Sequence, residues 1–159
     1  MDSNTYIQAK NQYYDMKFCP AYWDWLDQQF HVGTVQSIYS VYAEITDSND
    51  ALSVWAKSHK SHFMPVADKE TQDKFSEIAD YVVSLKDKPQ EEIAHFLSKA
   101  DPWIIAKAAS LQATVVTHER KVPENSKKIK IPNICEKYSV GYINTYKLLS
   151  TLNAKFILS

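Results

Sequence analysis

The sequence predicts an α/β fold, a three-layer α/β/α arrangement with a central, mainly parallel sheet between two layers of helices. Four short apolar runs alternate with helical segments, and strands connected through helices pair in parallel by right-handed crossovers. With 159 residues and 45% hydrophobic side chains, the chain has the size and composition of one globular domain, residues 1–159. The predicted strands are residues 34–38, 62–66, 113–117 and 141–144.

Apolar periodicity and helix-end residues predict helices between these strands. Pro20 begins one helix and Gly33 ends it. The side chains of Tyr22, Leu26 and Phe30 share the face that this helix is expected to bury. The other predicted helices are residues 4–14, 39–47, 50–58, 68–86 with Asp68 as N-cap, 89–97, 101–112, 132–138 and 145–153.

Composition excludes several classes of function. The only glycines are Gly33 and Gly141, so the chain has no glycine-rich phosphate loop and no nucleophile elbow. Cys19 and Cys135 lie far apart without a C-x-x-C partner, which argues against a zinc ribbon or a disulfide framework. The net charge is −1, no signal peptide is visible and no apolar run approaches 18 residues. We therefore expect a soluble cytoplasmic protein without membrane contact.

Four acidic residues lie where a parallel sheet could gather them at one edge. They are Asp2, Glu44, Asp101 and Glu119, and ligands often bind beyond the carboxyl ends of parallel strands. Clustered carboxylates without thiolates favour Mg²⁺ or Mn²⁺. Each acid alone also has an ordinary explanation. Asp2 can be explained as part of a frayed terminus and Glu44 as a solvated helix residue, while Asp101 has the position of a helix N-cap and Glu119 that of a loop residue.

The sequence around these acids resembles a known family. The segments D-S-N-T-Y-I (2–7), S-I-Y-S-V-Y-A-E-I (37–45), A-D-P-W-I-I-A-K-A-A (100–109) and A-T-V-V-T-H-E (113–119) resemble four successive elements of PIN-domain ribonucleases. Residues 9–26 and 128–135 resemble an uncharacterised bacterial branch of that superfamily, related to VapC-type toxins. The four elements occur in the family's order and extend over nearly the whole chain.

The resemblance implies a metal-dependent endoribonuclease that hydrolyses RNA phosphodiester bonds with metal-activated water. Asp2, Glu44 and Asp101 would bind Mg²⁺ or Mn²⁺, and Glu119 would complete the site directly or through water. Asn4 would brace the first aspartate, and Thr117 belongs to the fourth element. Related toxins are held inactive by a cognate antitoxin protein and form homodimers, so we expect both kinds of partner.

The sequence departs from the family pattern in two places. Only Met1 precedes Asp2, where the family has a hydrophobic strand, so we expect a less stable chain and a poorly held Asp2. The fourth acid is Glu119 rather than an aspartate. These departures keep two alternatives open, which are a non-catalytic PIN-like module that binds RNA or protein and a DNA-directed nuclease of the same superfamily.

A basic segment follows the last predicted acid and is the candidate substrate contact. Residues 120–130 carry a net charge of +4, which would attract RNA phosphates unless the segment is simply a solvated loop. His118 is predicted either to contact phosphate or to cap the loop. The candidate substrate-binding residues are Lys10, His118, Arg120, Lys127 and Lys128.

Two further features concern partners and metals. Tyr13, Tyr14 and Trp25 are expected to be exposed, where they would stack on bases or, as we favour, form a dimer or antitoxin interface. His59 and His62 have the i, i+3 spacing of two metal ligands. Because no third ligand lies near them in the sequence, we do not expect a zinc site there.

Overall fold

The computed structural model describes residues 1–157, in which short strands alternate with nine α-helices. A π-helical turn, Ala9–Tyr13, extends the first helix, and a 3₁₀ turn, Lys60–His62, precedes the second strand. The elements are α1 (Ser3–Gln8), α2 (Pro20–His31), β1 (Ser37–Ile38), α3 (Tyr39–Thr46), α4 (Ala51–Ser58), β2 (Phe63–Met64), α5 (Lys69–Val83), α6 (Gln90–Ser98), α7 (Asp101–Leu111), β3 (Val115–Val116), α8 (Ile131–Lys137), β4 (Tyr142–Ile143) and α9 (Thr145–Thr151).

The strands form two parallel pairs. Ser37 of β1 lies opposite Phe63 of β2, and Val115 of β3 lies opposite Tyr142 of β4. The mixed helix-and-strand class and the parallel pairing are thereby confirmed. Each strand lies inside its predicted range but is only two residues long, and the described residues form two separate sheets rather than one continuous sheet.

Met1 and Asp2 connect the two strand pairs through their backbones. The amino nitrogen of Met1 donates to the carbonyl of Gln36 at 2.8 Å, and the Ser37 hydroxyl donates to the carbonyl of Met1 at 2.6 Å. On the other side, the backbone nitrogen of Asp2 donates to the carbonyl of Val116 at 3.1 Å. Asp2 is only 2% exposed, so the expectation that it would be poorly held is wrong.

Helix ends follow the sequence signals at several positions. Gly33 has φ +74°, a left-handed conformation that glycine adopts without strain, and it follows the last turn of α2 as predicted. Asp68 caps α5, because its carboxylate accepts from the backbone nitrogen of Thr71 at 3.0 Å. The prediction that Asp101 caps α7 is wrong. Ala100 holds the N-cap position, and the carboxyl of Asp101 lies in the first helical turn without capping it.

The core lies between helices that bury the predicted apolar faces. Tyr22, Leu26 and Phe30 of α2 are buried, as expected from their spacing. The prediction that Tyr14 and Trp25 are exposed is wrong, since both pack against this core and the Tyr14 ring stacks on Tyr22 at 4.3 Å. No helix within residues 1–157 has the length and apolarity needed to cross a bilayer.

Candidate functional site: an acidic cluster around the start of helix α7

The four predicted acids come from distant parts of the chain and surround the first turn of α7. Asp101 lies in that turn, and Glu44 reaches it from α3 by accepting the backbone hydrogen of Ala100 at 2.8 Å. Asp2 begins α1, and Glu119 follows β3. The charges of Glu119, Asp2 and Glu44 all act on the carboxyl of Asp101.

Asp2 is held by hydrogen bonds to both of its carboxylate oxygens. Oδ1 accepts from the backbone nitrogen of Thr5 at 2.8 Å and from the hydroxyl of the same residue. Oδ2 accepts from the hydroxyl of Thr117 at 2.6 Å. Burial raises the pKa of Asp2, although these hydrogen bonds oppose the shift. The side chain of Asn4 is exposed, and Thr5 provides the bracing that the family resemblance assigned to Asn4.

Protein donors also hold Glu44 and Glu119. Oε2 of Glu44 accepts from the hydroxyl of Ser3, in addition to the contact of Oε1 with the start of α7. Oε1 of Glu119 accepts from Nζ of Lys130 at 2.8 Å, and Oε2 accepts from the backbone nitrogen of Ile131 at 2.8 Å. These contacts fix both glutamates in place and partly neutralise Glu119.

Asp101 is the carboxyl of this group without a hydrogen-bond donor among residues 1–157. Burial, followed by the charges of Glu119, Asp2 and Glu44, raises its pKa to about 7, while the charge of Lys130 opposes the shift. A cation beside Asp101 would offset both the loss of hydration on burial and the repulsion from the neighbouring carboxylates. Asp101 is therefore the position in the cluster best suited to bind a cation.

The carboxylates are close neighbours but are not arranged as a finished metal site. Among the described residues, no three of these four acids offer oxygens that all lie within 4.8 Å of one another. An ion shared by three of them requires side-chain movement that brings their oxygens closer together. The donor set itself consists of oxygens alone, which fits Mg²⁺ or Mn²⁺ better than zinc or copper.

A cleft of about 540 Å³ adjoins Glu119 and contains stacking and basic side chains. The π-helical turn brings Tyr13 to it, with ring centroids 5.7 Å from Tyr146 and 6.0 Å from His118. Tyr13 is 41% exposed and Tyr146 is 49% exposed. The cleft is lined in part by Tyr13, His118, Glu119, Arg120, Tyr146 and Lys147.

Of the predicted substrate-binding residues, His118 and Arg120 line this cleft. Lys10 instead pairs with Asp50 at 2.6 Å. Nζ of Lys127 donates to the carbonyl of Asp87 at 3.1 Å, and Nζ of Lys128 donates to Glu92 at 3.0 Å. Within the positive segment, carboxylates pair with three of the five basic residues, Lys121, Lys128 and Lys130, which offsets part of its charge.

Sequence reasoning missed Tyr146 and Lys147 as cleft residues. Both lie on α9, 28 and 29 residues after His118, and no local motif marks them. The contact that brings α9 to the cleft is a hydrogen bond of 2.9 Å between Oγ1 of Thr145 and Nε2 of His118. A second cleft of about 520 Å³ lies between β1 and β3, and none of the four acids lines it.

The fold and site define an α/β protein with a partly buried acidic cluster beside an aromatic and basic cleft. The chain belongs to the family described as a domain of unknown function (DUF4411), whose family model matches residues 1–156. No curated protein and no solved structure matches the chain. The family description assigns no activity, so the function is argued from the site.

Proposed function

We propose that the protein is a metal-dependent endoribonuclease with a PIN-like three-layer fold. The observation that carries the proposal is the surplus of negative charge around Asp101, where three other carboxylates contribute to raising its pKa to about 7. Proteins tolerate such clusters mainly where a cation or a proton offsets the repulsion. The parallel strand pairs connected through Met1 and Asp2 support the PIN-like arrangement.

In this proposal Asp101 binds Mg²⁺ or Mn²⁺, with Asp2, Glu44 and Glu119 as direct or water-mediated ligands. The bound ion would lower the pKa of a water molecule and stabilise charge on the scissile phosphate. Thr117 and Thr5 hold the carboxylate of Asp2, which limits the rearrangement needed on binding.

The cleft beside Glu119 suits a single-stranded RNA. Exposed rings of Tyr13 and Tyr146 can stack on unpaired bases, which is worth about 1–3 kcal/mol per base in single-strand binding proteins. Arg120 and Lys147 line the same cleft and can neutralise phosphates. Together these contacts would place a backbone phosphate next to the acids, and RNA turnover would place the protein in the cytoplasm.

We further propose that the protein is the toxin of a type II pair, masked by an antitoxin and able to form a homodimer. Phe18, between the π-helical turn and α2, is 82% exposed, and Tyr13 and Val32 are also exposed. Large apolar side chains on the surface are typical of protein interfaces. A partner that covers Tyr13 would also obstruct the cleft.

One observation favours the alternative of a non-catalytic binding module. The carboxylates of Asp2, Glu44 and Glu119 already accept hydrogen bonds from the protein, which holds them without an ion. Such a module would bind RNA or protein without cutting. A DNA-directed nuclease would share the acids and differ in its substrate.

A cleavage assay separates these three functions. Purified protein is incubated with Mn²⁺ and labelled single-stranded RNA or DNA, with EDTA and Asp101→Asn as negative controls. Asp24→Asn, an exposed position on α2, serves as the matched substitution. We expect RNA cleavage that EDTA abolishes, that Asp24→Asn retains and that Asp101→Asn reduces at least about 100-fold.

Each other outcome has a defined meaning. If Asp101→Asn cuts RNA as fast as the parent protein, the assigned site is wrong. RNA binding without cleavage would support the non-catalytic module, and preferential cleavage of DNA would support the DNA-directed nuclease.

A further inference from the structure

A second group of metal-ligating side chains lies outside the acidic cluster. Asp27 and His31 are one turn apart on α2, and His62 ends the 3₁₀ turn before β2. Each offers one ligand atom, and these three atoms all lie within 4.8 Å of one another. Residues 1–157 contain no other group of three that meets this distance.

The distances around Asp27 match those between ligands of a small ion. Oδ1 of Asp27 lies 3.2 Å from Nε2 of His62 and 3.4 Å from Nε2 of His59, and Oδ2 lies 3.5 Å from Nδ1 of His31. The same Nδ1 lies 2.8 Å from the backbone carbonyl oxygen of Asp27 and must leave it to bind an ion. Tetrahedral zinc with ligand bonds of about 2.0 Å separates neighbouring ligand atoms by roughly 3.3 Å. Asp27, His31 and His62 therefore lie near the spacing of metal ligands, whereas His59 approaches Asp27 without belonging to the group whose ligand atoms all lie within 4.8 Å of one another.

The hydrogen bonding of the cluster is incomplete without an ion. Oδ1 of Asp27 is buried and accepts no hydrogen bond from residues 1–157, although two ring nitrogens approach it. His62 is 7% exposed and turns its Nε2 towards this oxygen, while its Nδ1, on the far side of the ring, has no partner within that range with or without an ion. Buried polar atoms without partners are rare and cost free energy, so the convergence on Oδ1 calls for a ligand.

Outer contacts fix the ring of His59 for metal binding. Its Nδ1 lies 2.8 Å from the carbonyl oxygen of Trp55, which only accepts, so Nδ1 carries the hydrogen. In the neutral ring, Nε2 then presents a lone pair towards the carboxylate of Asp27, an arrangement that repels unless a cation lies between them. A carbonyl partner on the remote nitrogen is also the usual support of a metal-bound histidine.

Aromatic packing holds two of the rings in this arrangement. Phe30 stacks on His62 with ring centroids 4.0 Å apart, and Trp55 stacks on His59 at 4.6 Å. The side chain of His31 is 70% exposed and gives an ion access from solvent.

We propose that Asp27, His31 and His62 form a zinc site that clamps α2 to the segment between α4 and β2, and that His59 moves in as the fourth ligand when the ion binds. Three imidazoles and one carboxylate favour Zn²⁺ over Mg²⁺ or Mn²⁺. The competing explanation is a set of protonated histidines around Asp27 with no affinity for a metal. This inference does not depend on the proposed nuclease activity.

The test is a zinc titration of EDTA-treated, dialysed protein by calorimetry, with thermal unfolding as a second readout. We expect one equivalent of Zn²⁺ to bind and to raise the melting temperature. Asp27→Asn and His62→Gln should each weaken binding at least about tenfold, which corresponds to about 1.4 kcal/mol. Cobalt in place of zinc should give the intense visible absorption of a tetrahedral site.

The controls separate the proposed site from adventitious binding and from misfolding. His31→Gln changes an exposed ligand, so the variant should fold normally and bind zinc more weakly, whereas His95→Gln on the exposed face of α6 should match the parent. Asp101→Asn should retain zinc. The proposal is overturned if no stoichiometric binding occurs, if Asp27→Asn and His31→Gln both bind like the parent, or if Asp101→Asn removes the ion.

Discussion

The hydroxyl of Thr117 donates to Oδ2 of Asp2 at 2.6 Å, across 115 positions of sequence. Both residues are 2% exposed. The same hydroxyl oxygen accepts the backbone hydrogen of Glu119 at 3.0 Å. One threonine therefore connects the first and fourth acids of the cluster and fixes their relative position.

Replacing Thr117 with valine should destabilise the fold. The substitution keeps the shape of the side chain but leaves a buried carboxylate oxygen without its donor, which costs about 1–3 kcal/mol. Urea unfolding at neutral pH would measure the loss. Thr117→Ser should recover most of the stability, and Thr114→Val, at an exposed position, should change it by less than about 0.5 kcal/mol. Equal stability of the two valine variants would contradict this role.

The contribution of Asp101 to the stability of the metal-free protein should fall as pH rises between about 4 and 7. Burial and the neighbouring carboxylates raise the pKa of Asp101 from its usual 3.8 to about 7, so the folded state retains a proton that the unfolded state releases. By linkage, the contribution of Asp101 to the free energy of unfolding decreases through this range and stays low above it. The Met1 amino group acts in the opposite direction between about pH 6 and 8, because burial lowers its pKa to about 6.

Asp101→Asn removes this titration. In EDTA at pH 8 the variant should be more stable than the parent by on the order of 2 kcal/mol, since partial exposure screens the roughly 1.4 kcal/mol per pKa unit. At pH 4 the difference should nearly vanish. Urea unfolding at both pH values measures it, and a parallel pH profile for parent and variant would contradict the pKa assignment.

The cleft tyrosines should contribute to RNA affinity. Tyr146→Ala should weaken binding of a single-stranded oligonucleotide by about 1–3 kcal/mol, because stacking on one base is lost. Fluorescence anisotropy in EDTA measures binding without cleavage. Tyr39→Ala is the matched control, since Tyr39 is 48% exposed but does not line the cleft. Equal losses in both variants would argue against the cleft as the RNA site.

Arg120 and Lys128 should differ in their effect on the salt dependence of RNA binding. Arg120→Gln should reduce the slope of log K against log salt by about 0.7, the value for one phosphate contact on a single strand. Lys128→Gln should leave the slope unchanged, because Lys128 is paired with Glu92. Anisotropy titrations at several salt concentrations give both slopes. A larger change for Lys128→Gln would reverse the assignment.

Local signals predicted the elements of the fold well. Periodic apolar residues and end signals such as Pro20, Gly33 and Asp68 predicted the helices within a few residues. The predicted strands include all four observed strands, but each prediction is longer than the strand in the structure. Their apolar runs reflect burial at 113–117 and elsewhere, whereas backbone pairing extends over only two residues in each strand.

The site could be predicted only in part, because its chemistry depends on contacts between distant residues. Family resemblance selected the four acids, but it did not indicate that Lys130 pairs with Glu119. The i, i+3 spacing of His59 and His62 indicates a possible pair of ligands, but no third ligand lies near them in the sequence. The structure supplies Asp27 from a different helix, 32 positions before His59.

The central claim is that the acids around Asp101 bind one divalent cation. Titration with Mn²⁺, with the free ion followed by electron paramagnetic resonance, tests it without requiring the RNA target. We predict one equivalent bound by the parent protein, binding at least about tenfold weaker in Asp101→Asn, and unchanged binding in His62→Gln. Equal Mn²⁺ binding by the parent and Asp101→Asn, or no binding by either, would contradict the account.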